Sequence, residues 1–303
     1  MRYATSRREQ DMTPARKVLS ALVGLVIWLG CPAAWAYSQP EKIQEGNGEQ
    51  TAYLDAAALH VFTYRPAHCT PGAFLIVFHG VDRNAGDYRN FARSIADHHC
   101  YIVAAPLFDK ERFPRWRYQY GGLADGRTVE DSRTWTGWVV LKLVDWLRQE
   151  EGRADMPYFL IGHSAGAQFL DRFAAVIPNQ ARRIVVANPS TYMLPSVQDS
   201  PPYGFSGLDS SDTLLKRYLA QPLTIFLGQM DRGSHNLARG AEADEQGETR
   251  LDRGENVFRQ AEAVARQRGW PFNWRLVEAP DIGHNAKAMF ASPKASDALG
   301  LAQ

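Results

Sequence analysis

The sequence predicts an α/β domain in which a mostly parallel β-sheet carries helices on both faces. Three observations support this. The 303-residue chain is 45% hydrophobic and contains 8 Trp, 12 Tyr and 14 Phe, which supplies a sizeable core and excludes disordered or low-complexity classes. Short apolar runs alternate with longer amphipathic stretches, the pattern of strands joined by crossover helices. At one such junction, Gly162-His163-Ser164-Ala165-Gly166, a glycine-flanked serine stands between a strand pattern and a helix pattern.

Residues 1–36 read as a cleaved secretory leader. Basic Arg7, Arg8, Arg16 and Lys17 precede an apolar run from Val18 to Leu29, and Ala34-Trp35-Ala36 fits the A-x-A cleavage pattern. Met12 offers a second start that leaves a leader of ordinary length. The apolar run is shorter than the ~20 residues a membrane anchor needs, so no stable span is expected after cleavage. Removing the leader takes away five basic and two acidic side chains from a chain of formal net charge +1. The remainder is close to neutral and gives no general reason to expect nucleic acid as a partner. Cys69 and Cys100 remain, and an even pair in an exported chain reads most simply as a disulfide.

Residues 37–51 are polar and read as a loose lead-in to one domain at 52–303. Leu59–Tyr64 reads as a strand, and the unbroken apolar run Ala73–Phe78 as a strand covered on both faces. His79-Gly80 ends it. A helical stretch follows around Tyr88–Ala96, then a strand at Tyr101–Ala105 stopped by Pro106. Phe113–Leu123 reads as an aromatic loop. Val140, Leu143, Val144 and Leu147 recur at i, i+3, i+4 and i+7, so Thr134–Gln149 reads as a helix with one core-facing stripe. Tyr158–Ile161 is the strand before the serine, and the helix after it runs to Pro178. Ile184–Ala187, Leu223–Leu227 and Phe272–Val277 supply three further strands. Ser190–Gln221, rich in Pro, Ser, Gly and Tyr, reads as a partial roof over a cleft. Gly233–Gly254, with Asp244, Glu245, Glu248 and Asp252, reads as a solvated surface excursion rather than a calcium loop.

The chemistry centres on Ser164. A nucleophilic serine on a sharp strand-to-helix turn needs small neighbours so that strand and helix can pass closely. Its hydroxyl is a weak nucleophile until a base accepts the proton and a carboxylate orients that base. His284, in Asp281-Ile282-Gly283-His284 after the last strand, is the candidate base. Asp231, in Gly228-Gln229-Met230-Asp231 after Leu223–Leu227, is the candidate acid. The competing position after Ile184–Ala187 has no carboxylate from Asn188 to Gln198. His163 is expected to point away from the nucleophile, and His235 to lie on the surface. The oxyanion formed on attack needs preorganised donors, for which the backbone N–H groups of Ala165 and of Val81 are the candidates. Asp82, Arg83 and Asn84 follow directly and are candidate substrate contacts. Trp116, Tyr118, Tyr120, Tyr192 and Tyr203 lie in expected loops, and of these Trp116 and Tyr192 are further substrate-contact candidates.

Together these residues resemble the α/β-hydrolase superfamily over essentially the whole of the chain after the leader. The order Ser164, Asp231, His284 matches, and the His79-Gly80 turn is similar to that of the secreted esterase and polyhydroxybutyrate-depolymerase-like branch. The resemblance implies an eight-stranded, mostly parallel sheet with at most a small cap, and a two-step acyl-enzyme mechanism without metal or organic cofactor. In it Ser164 attacks, His284 carries the proton and Asp231 orients His284. The expected function is ester hydrolysis in the periplasm or outside the cell, on a small or polymeric ester. A peptidase or amidase of the same fold and a non-catalytic binding module are the alternatives, separated by amide hydrolysis and by absence of covalent labelling at Ser164.

Overall fold

The computed structural model describes residues 42–55, 57–126 and 128–301, so the expected leader lies outside the described residues. In chain order the strands are β1 Gly46–Leu54, β2 Ala57–Arg65, β3 Ala73–Phe78, β4 Tyr101–Pro106, the short pair β5 Ala124–Asp125 and β6 Thr128–Val129, then β7 Tyr158–His163, β8 Ile184–Ala187, β9 Leu223–Gly228 and β10 Arg275–Ala279. Eight of them form one sheet in the order β1-β2-β4-β3-β7-β8-β9-β10. β2 is antiparallel to both β1 and β4, and every other pairing in that sheet is parallel. This is the α/β-hydrolase fold that the resemblance implied.

The helices are α1 Ala85–Phe91, α2 Arg93–His99, α3 Arg115–Tyr118, α4 Gly137–Glu150, α5 Ala165–Val176, α6 Ser211–Leu219, α7 Ala241–Asp244, α8 Arg250–Arg268, α9 Ala286–Ala291 and α10 Lys294–Leu299. Side chains alternate across a strand, and β3, buried throughout, shows how the two faces are filled. Phe74, Ile76 and Phe78 join a core with Val140, Leu143, Val144 and Leu147 of α4 and with Phe169, Leu170 and Phe173 of α5. Leu75 and Val77 join a second core with Tyr88 of α1, Ile95 of α2 and Met289 and Phe290 of α9. All twelve residues of α5 are buried, which places the helix that follows Ser164 at the centre of the fold. A Cys69–Cys100 disulfide joins the segment before β3 to the residue before β4.

Several sequence expectations change. Residues 46–51, read as loose, belong to β1, an edge strand paired along its length with β2. An edge strand with one solvated face needs few apolar residues, and most of its positions are exposed or half-buried. The aromatic stretch 113–123 contains α3. The last strand begins at Arg275 rather than Phe272, because Phe272 packs on Phe258 of α8 and the Trp274 indole donates to the Tyr218 carbonyl. The stretch 233–254 is not simply solvated: it contains α7 and the start of α8, where Arg250 and Arg253 are fully buried. Asp252 and Thr249 form a capping box on α8, and Asp244 pairs with Arg239 and Arg253. Among the described residues, no group of three or more His, Cys, Asp or Glu is arranged to hold a metal ion.

Candidate active site

β7 ends at His163 and α5 begins at Ala165, so Ser164 alone makes the turn, at φ 55° and ψ −113°. A non-glycine residue held there is strained by about 1–3 kcal/mol, which the surrounding packing must offset. The flanking glycines show what holds it. A Cβ on Gly162 would run into the Gly166 carbonyl, and one on Gly166 would run into the Phe78 carbonyl at the end of β3. The Ser164 amide donates to the Ala187 carbonyl of β8 at 3.0 Å. The serine is thus wedged between neighbouring strand ends, 6% exposed.

Asp231 follows β9 in a turn closed by its own amide on the Gly228 carbonyl, and its side chain is 1% exposed. His284 follows β10. Its Nδ1 is 2.7 Å from Asp231 Oδ2 and its Nε2 is 3.0 Å from Ser164 Oγ. A carboxylate accepts only, so Nδ1 carries the proton and Nε2 is free to accept from the serine hydroxyl. Asn188, after β8 and at φ 48°, braces the other two loops: its Oδ1 accepts from the Gly228 amide at 2.8 Å and its Nδ2 donates to the Gly283 carbonyl at 3.4 Å. Sequence reading passed over Asn188 because it asked of that position only whether a carboxylate stood there.

His163 was expected to point elsewhere, and the structure corrects this. Its buried ring lies against His284 with centroids 4.6 Å apart, and its Nδ1 is 3.3 Å from the Tyr88 hydroxyl. Burial pushes the Tyr88 phenol up, so it stays protonated and donates to His163. Burial, with His284 and Arg250 nearby, holds His163 well below the usual histidine range and therefore neutral. The signal was its place beside Ser164 in the five-residue motif.

The turn after β3 faces this row. His79 is buried; its Nε2 accepts from the Phe108 amide at 3.1 Å, which leaves the proton on Nδ1 to donate to the Gly80 carbonyl at 3.0 Å. Desolvation drives its pKa down to about 4, consistent with that neutral tautomer. The Arg83 amide also donates to the Gly80 carbonyl, at 3.3 Å. In a trans peptide the N–H points opposite to the C=O, so both donors turn the Val81 N–H to the other side. Val81 and Ser164 line the same cleft of about 330 Å³.

The cleft is polar at its rim. Asp82 and Asn84 line it, joined by His235, Asn236, Asn285 and Lys287. His235 is exposed, yet it forms part of the wall. Three substrate-contact candidates lie elsewhere. Arg83 turns inward, donating to the Phe108 and Phe113 carbonyls and stacking 4.3 Å over Tyr118. Tyr192 is fully buried in the core behind α5, where Ser190–Gln221 packs instead of roofing the cleft. Trp116 is half-buried beneath the Arg117 guanidinium and is not among the cleft residues. Of the other aromatics in the expected loops, Tyr118 is fully buried, and Tyr120 and Tyr203 pack on each other.

Comparison with family models and with curated proteins finds no match. Solved structures do match. Poly(aspartic acid) hydrolase-1 from Sphingomonas sp. KT-1 is 32% identical, with a TM-score of 0.79 over 86% of this chain and 99% of that one. The poly(3-hydroxybutyrate) depolymerase LpqC from Bordetella parapertussis is also 32% identical, with a TM-score of 0.77 over 86% and 96% of the two chains. An S-formylglutathione hydrolase from Agrobacterium tumefaciens, 15% identical with a TM-score of 0.51 over 86% and 96%, shares the fold alone.

Proposed function

Since the chain belongs to the α/β-hydrolase superfamily, as a hydrolase of the esterase type, we propose that it cleaves carboxylic esters through an acyl-enzyme intermediate formed on Ser164. The observation that carries this reading is the unbroken hydrogen-bonded row from Ser164 Oγ through the His284 ring to Asp231 Oδ2. In it, Ser164 Oγ attacks the acyl carbon while His284 Nε2 takes the hydroxyl proton. Asp231 holds the Nδ1 proton and stabilises the imidazolium. The tetrahedral oxyanion is met by the Val81 and Ala165 amides, each donor of this kind being worth about 3 kcal/mol in the transition state. Collapse expels the alcohol, which leaves with the proton from Nε2. Water, deprotonated by the same nitrogen, then attacks the acyl-enzyme, and Ser164 departs with its proton restored as the acid is released.

A cleft of about 330 Å³ with Asp82, Asn84, Asn285 and Lys287 among its lining residues suits a short or polymeric ester better than a long acyl chain enclosed in a tunnel. The Cys69–Cys100 disulfide supports a place of action outside the cytoplasm, periplasmic or secreted. No described helix is long and apolar enough to cross a membrane. A second reading, amide hydrolysis, is favoured by one observation: poly(aspartic acid) hydrolase-1, whose named polymer is joined by amide bonds, is 32% identical. The test is a p-nitrophenyl ester panel, short to long acyl, beside poly(aspartic acid) and poly(3-hydroxybutyrate), with the Ser164→Ala variant as control. Ester turnover that falls by several powers of ten in Ser164→Ala is the expected result. Equal turnover by both proteins overturns the assignment, and cleavage of poly(aspartic acid) alone moves it to the amide reading.

A further inference from the structure

The mechanism above leaves the buried charge at the start of α8 without a role. Arg250 and Asp231 are each 1% exposed in their side chains, and Arg250 Nη1 lies 3.4 Å from Asp231 Oδ1, the carboxylate oxygen that His284 does not use. The same guanidinium donates to two carbonyls of the loop after Asp231, through Nη1 to Gly233 at 3.4 Å and through Nη2 to His235 at 2.7 Å. Burying an arginine costs several kcal/mol of desolvation, so a fold retains one where its charge is answered. Arg253, one turn-face away, shows the purely structural alternative: it donates to the Ser190, Ala238 and Gly247 carbonyls and meets Asp244, remote from the reacting groups.

We infer that Arg250 is a positioning residue for the acid and for the cleft wall. It fixes the Asp231 carboxylate so that Oδ2 faces His284, and it clamps the segment that presents His235 and Asn236 to the substrate. This inference rests on the reading of Ser164, His284 and Asp231 given above. Its electrostatic part follows from the order of charges. A positive charge behind Asp231 offsets part of the carboxylate's pull on a protonated His284. The groups that face His284 are Asp231, Ser164 and the neutral His163, with Tyr88 of α1 behind His163. Those that face Asp231 are His284 and Arg250, with Tyr192 from the core acting at longer range. Asp82 and Lys287 stand at the cleft rim.

Charge and fork separate in two variants. Arg250→Gln keeps hydrogen-bond donors and loses the charge; the acid limb of its kcat/KM profile is expected to move to higher pH by about half a unit to one unit. Arg250→Lys keeps the charge and loses the fork; its acid limb is expected to stay in place while KM for a p-nitrophenyl ester rises about three- to tenfold. An unmoved acid limb in Arg250→Gln, or an equal displacement in both variants, overturns the electrostatic role. An unchanged KM in Arg250→Lys overturns the clamp, and that milder variant keeps the inference testable if Arg250→Gln does not fold, which melting curves on both establish. Activity retained in Ser164→Ala, measured alongside, marks failure of the reading of the site itself and is distinct from either result at 250.

Discussion

Replacing His79 with leucine removes a side chain that holds the Gly80 carbonyl with one nitrogen and the Phe108 amide with the other. Two losses follow, and they are separable. The Phe108 amide is orphaned in the interior, a cost of about 1–3 kcal/mol. For a domain of this size that lowers the melting temperature by about 2–4 °C per kcal/mol. The Gly80–Val81 peptide keeps only the Arg83 amide on its carbonyl and is held less firmly, which, on the mechanism proposed, takes the Val81 N–H away from the oxyanion. Loss of one such donor costs about 10²–10³-fold in kcat, and because the interaction exists only in the transition state, KM is expected to stay within about twofold. Initial rates on a short p-nitrophenyl ester read both. His79→Asn supplies an N–H near the position of Nδ1 but does not reach Phe108, so it is expected to recover most of kcat and little of the melting temperature. A His79→Leu protein that melts earlier yet keeps wild-type kcat refutes the reasoning, since the peptide would then be held without the histidine.

Two further outcomes are expected. An unfolded histidine takes up its proton near pH 6.5, whereas folded His79 resists until about 4, so between those values the unfolded chain binds more protons and stability falls as pH is lowered. His79 accounts for about 3 kcal/mol of that loss, and His163, depressed in the same direction, adds to it; urea unfolding at pH 7.5 and 4.5 measures the difference, and a slope left unchanged by His79→Leu would count against it. Gly166→Ala is expected to destabilise the fold by about 1–3 kcal/mol and to lower activity more than tenfold, because the new methyl meets the backbone of Phe78 and His79, which cannot swing aside; wild-type stability in denaturant melts would show that α5 has room to retreat from β3.

What was legible in the sequence is what is local. Ser164 announces itself because a strained turn between an apolar strand and a buried helix demands glycines at fixed offsets. Asp231 and His284 were nameable because each stands in a short turn just beyond a strand end, and parallel strands deliver such turns to one edge of the sheet. Tyr192 and the stretch that carries Arg250 were misread for one common reason. Their surroundings are assembled from distant segments: Tyr192 is held by Gln246, whose side chain contacts both its amide and its carbonyl, and Arg250 is answered by carbonyls at 233 and 235 and by the acid itself. Composition cannot show that a charged stretch carries its own counter-groups inward. β1 was missed because its partner is a register with β2, Gly46 opposite Arg65 through Leu54 opposite Ala57, rather than an apolar pattern.

The disulfide bears on when the chain becomes the folded protein. Cys69 and Cys100 lie 31 positions apart, and the loop they close contains β3, the His79–Val81 turn and both α1 and α2. On a chain-entropy account, closing a loop of that length disfavours the unfolded ensemble by about 3–4 kcal/mol. A chain whose cysteines are reduced lacks that contribution, and the segment that lacks it is the one bearing the His79–Val81 turn. Before oxidation the polypeptide is therefore easier to unfold, and after oxidation it is harder to reopen. One covalent bond thus gives the same sequence two mechanical characters, pliant before it forms and locked after it.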